Sequence, residues 1–197
     1  MGATGWIALA VLVVLALWGA AVYNRLRLLR NRVENAWAQI DVQLKRRYDL
    51  IPNLVEVARG YMQHEAATLQ AVTLARNQAV QARDSLHQQV RGAQDLTALA
   101  AAEHRLGGCL GQLMLAVEQY PDLQANAQMQ SLSEEIASTE NRIGFARQAY
   151  NDQVLAFNDK AGHFPDVLWA RLLGFVHLDM LQSTSNAAER QVPQVRF

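Results

Sequence analysis

Residues 5–24 read GWIALAVLVVLALWGAAVYN, and no charged side chain occurs before Arg25. As a helix rising about 1.5 Å per residue, this stretch covers about 30 Å, the thickness of a bilayer's hydrocarbon core. Each Ile, Leu and Val favours insertion by roughly 0.3–0.6 kcal/mol, and no buried charge opposes them. Trp6 stands near one end and Trp18 and Tyr23 toward the other, as membrane-interface anchors do. The stretch is expected to be a transmembrane helix, with residues 1–24 forming a short external N-terminus and the span. A signal peptide would need a basic leading region, a shorter apolar core and a small-residue cleavage site; here nothing basic precedes the apolar run except the amino terminus, and the run is too long. Myristoylation would want Ser or Thr where Trp6 stands.

The flanks give the segment a direction. Arg25, Arg27, Arg30 and Arg32 follow it directly, whereas its N-terminal side has no Lys or Arg. An excess of cationic side chains marks the cytoplasmic side, so the N-terminus is expected outside and the bulk of the chain in the cytoplasm. The same four arginines suit a membrane-surface role, holding anionic headgroups at about 1 kcal/mol each. Topology signal and lipid contact both stand as readings.

Outside the apolar run the composition points to helices. Only four prolines and 11 glycines occur in 197 residues, too few for a turn-rich β protein. Ala, Leu, Gln, Arg and Glu, all good helix formers, dominate. Lys+Arg and Asp+Glu both total 18, so net charge favours neither nucleic acid nor acidic substrates as a partner. The single cysteine, Cys109, has no partner for an internal disulfide and reads as a small packing residue.

Apolar residues recur at three or four positions almost throughout, and no strand pattern competes. A first helix runs from the membrane through Val33, Trp37, Ile40, Leu44 and Tyr48. Asp49 reads as an N-cap and Pro52 as a first-turn proline, so a second helix is expected from near Leu50 to about Ala82. Its stripe is Leu54, Val57 and Ala58, Tyr61, Leu69 and Val72. A third carries Leu96, Leu99, Leu106, Leu110, Leu113 and Val117 and stops at Tyr120-Pro121-Asp122. A fourth, from about Ala125, places Met129, Leu132, Ile136, Ile143, Tyr150 and Phe157 on heptad-like positions until Gly162 and Pro165 close it. Asp166–Leu181 is expected to add a short amphipathic helix. The fold class is thus all-α: an N-terminal transmembrane helix, then an antiparallel bundle of long helices over residues 25–182. Residues 183–197 are polar, contain Pro193 and read as an extended tail.

No catalytic constellation emerges. A carboxylate-bridged di-metal bundle needs paired Glu-x-x-His motifs, and no histidine has Glu three residues before it. After His64-Glu65 the fourth position is Thr68, which breaks the zincin pattern. No glycine-rich phosphate loop or nucleophile elbow occurs. No catalytic, cofactor-binding or metal residues are therefore assigned, and no cofactor is expected. His64-Glu65 and Glu103-His104 are read as exposed polar pairs. Gly107, Gly108 and Gly111 interrupt the third helix at roughly 1 kcal/mol each, which suggests close approach of a neighbouring helix, a kink or a subunit contact.

From residue 23 the chain resembles a known family. Tyr23-Asn24 and RNRVENAWAQIDVQLKRRYDLIPNLVEVARGYMQHE (residues 30–65), with Glu118–Leu123, Glu140–Ile143, Ala146–Asn151, Phe157-Asn158, Phe164-Pro165 and a final Val195-x-Phe197, are similar to the LemA family of bacterial membrane proteins. The segment after Gly174-Phe175 is less typical. The resemblance implies a bacterial cytoplasmic-membrane anchor, an external N-terminus, a cytoplasmic helical bundle and no known catalytic residues. Family genes often neighbour a membrane zinc protease, which implies a membrane protein partner in quality control.

The expected function is a non-enzymatic, membrane-tethered scaffold that self-associates or recruits a membrane partner. A membrane-surface sensor or remodeller of anionic lipid is the alternative. Charge around Asp41, Lys45, Arg46, Arg47 and Asp49 reads either as ion pairs within the bundle or as a polar interface between subunits. Val192, Val195 and Phe197 are candidate subunit contacts, able to anchor an extended peptide in a neighbour's groove.

Overall fold

A computed structural model describes residues 2–88 and 93–181. Of the described residues 86% are helical, and no strand occurs among them. The helices are α1 (Ala3–Arg59), α2 (Ala66–Gln88), α3 (Ala93–Val117), α4 (Pro121–Gln124), α5 (Ala127–Gly162) and α6 (Asp166–Leu172).

The expected break at Asp49–Pro52 is absent. The helix starting at Ala3 continues to Arg59 with Pro52 inside it. A proline has no N–H, so the carbonyl four residues back, Tyr48, loses its intrahelical donor. Arg76 on α2 supplies a replacement: its Nε–H donates to the Tyr48 carbonyl at 3.2 Å. The chain instead turns at residues 60–65, closed by Tyr61 and Met62 N–H groups donating to the Ala58 carbonyl at 3.0 and 2.9 Å. Met62, not Tyr61, is the buried residue of that turn.

Buried side chains of α1 recur with an 11-residue period: Val22, Val33, Leu44 and Val55; Leu26, Trp37 and Tyr48; Leu29, Ile40 and Ile51. Three turns in 11 residues is about 3.67 per turn, close to the ideal 3.6, so the stripe hardly drifts around the helix. The heptad-like positions expected on α5, Met129, Leu132, Ile136, Ile143, Tyr150 and Phe157, are all buried.

Contacts divide the chain into two units. One comprises Met1–Ala38 and Gln148–Met180. Here α1 and α5 run antiparallel: Trp37 meets Tyr150 edge-on at 5.9 Å, while Tyr23 meets Phe175 at 5.9 Å and Phe175 meets Phe157 at 6.1 Å. After α5 the chain reverses into α6, whose Asp166 is paired with Lys160 at 2.5 Å. The helix expected to reach Leu181 stops at Leu172. Gly174 takes the left-handed φ of +75°, and the Phe175 and Gly174 N–H groups donate to the carbonyls of Ala170 (2.9 Å) and Arg171 (3.2 Å). This is a Schellman stop, which only glycine makes without strain. Beyond it Asn158 holds Leu178 as a peptide would, donating from Nδ2 to its carbonyl at 2.8 Å and accepting its N–H at 2.9 Å.

The other unit contains Gln39–Arg147. The last part of α1 packs antiparallel on α2, with Asp41 paired to Arg83 and Tyr48 to Arg76. α2 and α3 pack on one another, and α4 is a single turn opened by Pro121. Asn126 caps α5, its Oδ1 accepting the N–H groups of Gln128 (2.9 Å) and Met129 (3.1 Å).

Candidate functional site

Two features outside ordinary bundle packing invite a functional reading. The first is the apolar start of α1. Among the described helices it is the one long and apolar enough to cross a membrane, and only 11% of its most apolar stretch is buried. Trp6 is exposed, as are nearly all side chains to Leu17. Trp18 and Tyr23 have packing partners that sequence did not suggest. Trp18 packs edge-on against Trp169 at 6.3 Å, and Tyr23 against Phe175. Between them, a Cβ on Gly19 would meet the Trp169 ring at 2.9 Å, so glycine is what lets α6 lie on α1. The small run Gly19-Ala20-Ala21 was the available signal for this close approach.

The four arginines follow. Arg25, Arg27 and Arg32 are exposed, and Arg30 pairs with Glu34 at 3.6 Å one turn on. At about 100° per residue, Arg25 and Arg32 flank one side of the buried stripe while Arg27 and Arg30 lie toward the other. They ring the helix and form no single-faced patch.

The second feature is a buried polar cluster. Arg47, Tyr48 and Glu103 are all nearly sealed from solvent. Arg47 Nη1 donates to Glu103 Oε2 at 2.9 Å, and its Nη2 to Glu140 Oε2 at 2.8 Å. The Tyr48 hydroxyl donates to the other oxygen of Glu103. Burial, with the Glu103 carboxylate beside it, raises the Tyr48 hydroxyl above its ordinary value and keeps it a donor. Arg47 Nε and Gln43 Oε1, one turn apart on α1, are buried without a partner.

Glu103 thus corrects the expectation of an exposed pair; only His104 lies outside. Its carboxylate is stable there because one α1 turn presents both a guanidinium and a phenol to it. Around the cluster Arg46 pairs with Glu135, and Arg83 grips Asp41 with two donors at 2.6 and 3.0 Å. That hydrogen bond to Asp41 holds the Arg83 guanidinium even more firmly protonated than usual. The charged signature residues Asp41, Arg46 and Arg47 therefore make ion pairs within the chain.

Among the described residues, no helix of the same chain closely approaches the three glycines of α3. A Cβ on Gly107 would meet only the Arg47 guanidinium, at 3.9 Å, and Gly108 and Gly111 have nothing within 4 Å. Cys109 is half-buried. No group of three metal-ligating side chains gathers among the described residues. Val192, Val195 and Phe197 lie outside the described residues.

Comparison with known sequences matches residues 36–197 to the LemA family, from the middle of α1 to the last residue. The chain belongs to the LemA family. The match takes in the whole Arg47–Tyr48–Glu103–Glu140 cluster. The LemA chain is also similar to two curated proteins of Paramagnetospirillum magneticum (strain ATCC 700264 / AMB-1), Magnetosome protein MamQ 1 and Magnetosome protein MamQ 2. Each is 31% identical over 85 residues, 43% of this chain. The chain spans only 31% of the length of these curated relatives.

Proposed function

We propose that this LemA-family chain is a non-enzymatic, membrane-tethered helical scaffold that self-associates. Its N-terminus lies outside, and the bulk of the chain lies at the inner face of a bacterial cytoplasmic membrane. The apolar, almost unburied start of α1 and the arginines after it support the tether and its direction.

The observation that carries self-association is the outer face of α3. Gly108 and Gly111 open onto empty space, and Leu115, four residues on, is 64% exposed. Each glycine costs roughly 1 kcal/mol in a helix interior, and nothing among the described residues packs on Gly108 or Gly111 to repay it. A helix of a second copy laid along this small-residue face would. Tethering confines the copies to a plane and raises their effective concentration, so a weak contact suffices.

Light scattering of detergent-extracted, full-length protein tests the proposal. A particle whose protein mass is a multiple of 21.9 kDa is expected. Gly108→Leu, which has room to be accommodated in the single chain, should return it to one copy. A monomer at every concentration, with no crosslinked species in native membranes, overturns the reading.

A further inference from the structure

We propose that the segment Phe164–Val176, built around α6, is inserted in the membrane interface beside α1, with phospholipid covering its outer face. The inference rests on the reading of α1 as a membrane span. It concerns an element some 140 residues away in sequence, brought to the span by the fold.

The outer face of this segment is unusually apolar. Phe164 is 80% exposed, Leu168 61%, Leu172 76% and Val176 70%. Leu168 and Leu172 are one turn apart on α6, and Phe164 stands in the turn just before it. Four large apolar side chains facing outward on so short a segment need a cover.

The height of the segment says what that cover is. Trp169 lies on Gly19 and beside Trp18. Gly19 is six residues before Arg25, or about 9 Å toward the apolar side at a rise of about 1.5 Å per residue. An element docked there cannot stand clear of a bilayer that α1 crosses; it sits where acyl chains meet headgroups. Phe175 packs at the next level, against Tyr23. Asp179 is lower still, its carbonyl accepting from Tyr150, which itself packs on Trp37. The chain therefore descends along α1 from the apolar level to the aqueous one.

Other features suit that depth. The charged Asp166 is buried against Lys160, and Arg171 and His177 are exposed, placed to reach headgroups. Non-helical backbone in a bilayer must have its polar groups satisfied. The Schellman bonds at Gly174 and Phe175 and the Asn158 clasp on Leu178 provide for this where α6 ends.

The test is collision accessibility of nitroxide labels on the full-length chain, reconstituted in phosphatidylethanolamine/phosphatidylglycerol vesicles. The Cys109→Ser background carries Leu172→Cys or Leu168→Cys, with Leu12→Cys reporting the span and Glu56→Cys the aqueous surface. Helicity is checked by circular dichroism for each. At Leu172 and Leu168, oxygen accessibility is expected to lie between that at Leu12 and that at Glu56, with a water-soluble nickel reagent much less accessible than at Glu56. Adding Gly19→Leu, which displaces Trp169, should shift both labels toward the nickel-accessible state. Lipid-like behaviour at Leu12 with water-like behaviour at Leu172 and Leu168 overturns the insertion while leaving the span intact. Exclusion of both reagents at these positions also overturns it, since protein then covers the face. Water-like behaviour at Leu12 itself removes the span and the insertion together.

Discussion

At the residue scale, Pro52 and Arg76 act as a pair. Proline removes the donor for the Tyr48 carbonyl, and the Arg76 guanidinium restores one from another helix. Arg76→Ala should cost about 1–3 kcal/mol, because a partly buried carbonyl is left unsatisfied. In a Pro52→Ala background, whose alanine N–H can serve that carbonyl, the same change should cost clearly less. Urea unfolding of the four proteins of this cycle, followed by helicity, measures the coupling; equal costs in both backgrounds refute it. The pairing explains why Asp49–Pro52 looks like a helix start: local signals favour a cap there, and only the incoming arginine makes continuation tolerable. The burial of Glu103 escapes local signals for a similar reason. A carboxylate is ordinarily solvated, and its burial requires the donors of Arg47 and Tyr48, 56 and 55 residues away.

At the element scale, the ends of helices follow local chemistry closely where a cap is present. Asn126 starts α5 by accepting two backbone N–H groups on its side-chain oxygen, and its Nδ2 donates to the Tyr61 hydroxyl at 3.1 Å. Asn126→Ala should lower stability by about 1 kcal/mol, whereas Asn126→Asp, which keeps the accepting oxygen, should retain most of it. Chemical denaturation of the two variants checks this; equal losses would show that the contact to Tyr61, not the cap, matters. α6 shows the opposite case. The apolar spacing from Asp166 to Leu181 invites a longer helix, but Gly174 can adopt the left-handed backbone that ends it, and Asn158 claims the peptide groups of Leu178. The stop is written partly in residue 174 and partly in a helix formed earlier in the chain.

At the scale of the whole molecule, the four arginines after the apolar run carry the proposed orientation. Replacing Arg25, Arg27, Arg30 and Arg32 together by Gln removes the charge asymmetry, so a fraction of chains should insert with the N-terminus inside. Labelling of a cysteine at Thr4 by an impermeant thiol reagent on intact cells measures this: complete in the parent, reduced in the variant. An unchanged result would show that something other than these charges directs insertion. The sequence by itself determined the helical class, the apolar run, the heptad face of α5 and the family, because each is carried by spacing or by contiguous residues. Tertiary structure alone decided that α1 passes through Pro52, that Glu103 is buried, that Gly108 and Gly111 open outward, and that Trp169 lies on Gly19. Each of these depends on which distant side chain arrives to satisfy a carbonyl, pair a charge or fill the space above a glycine, and no local periodicity encodes that arrival.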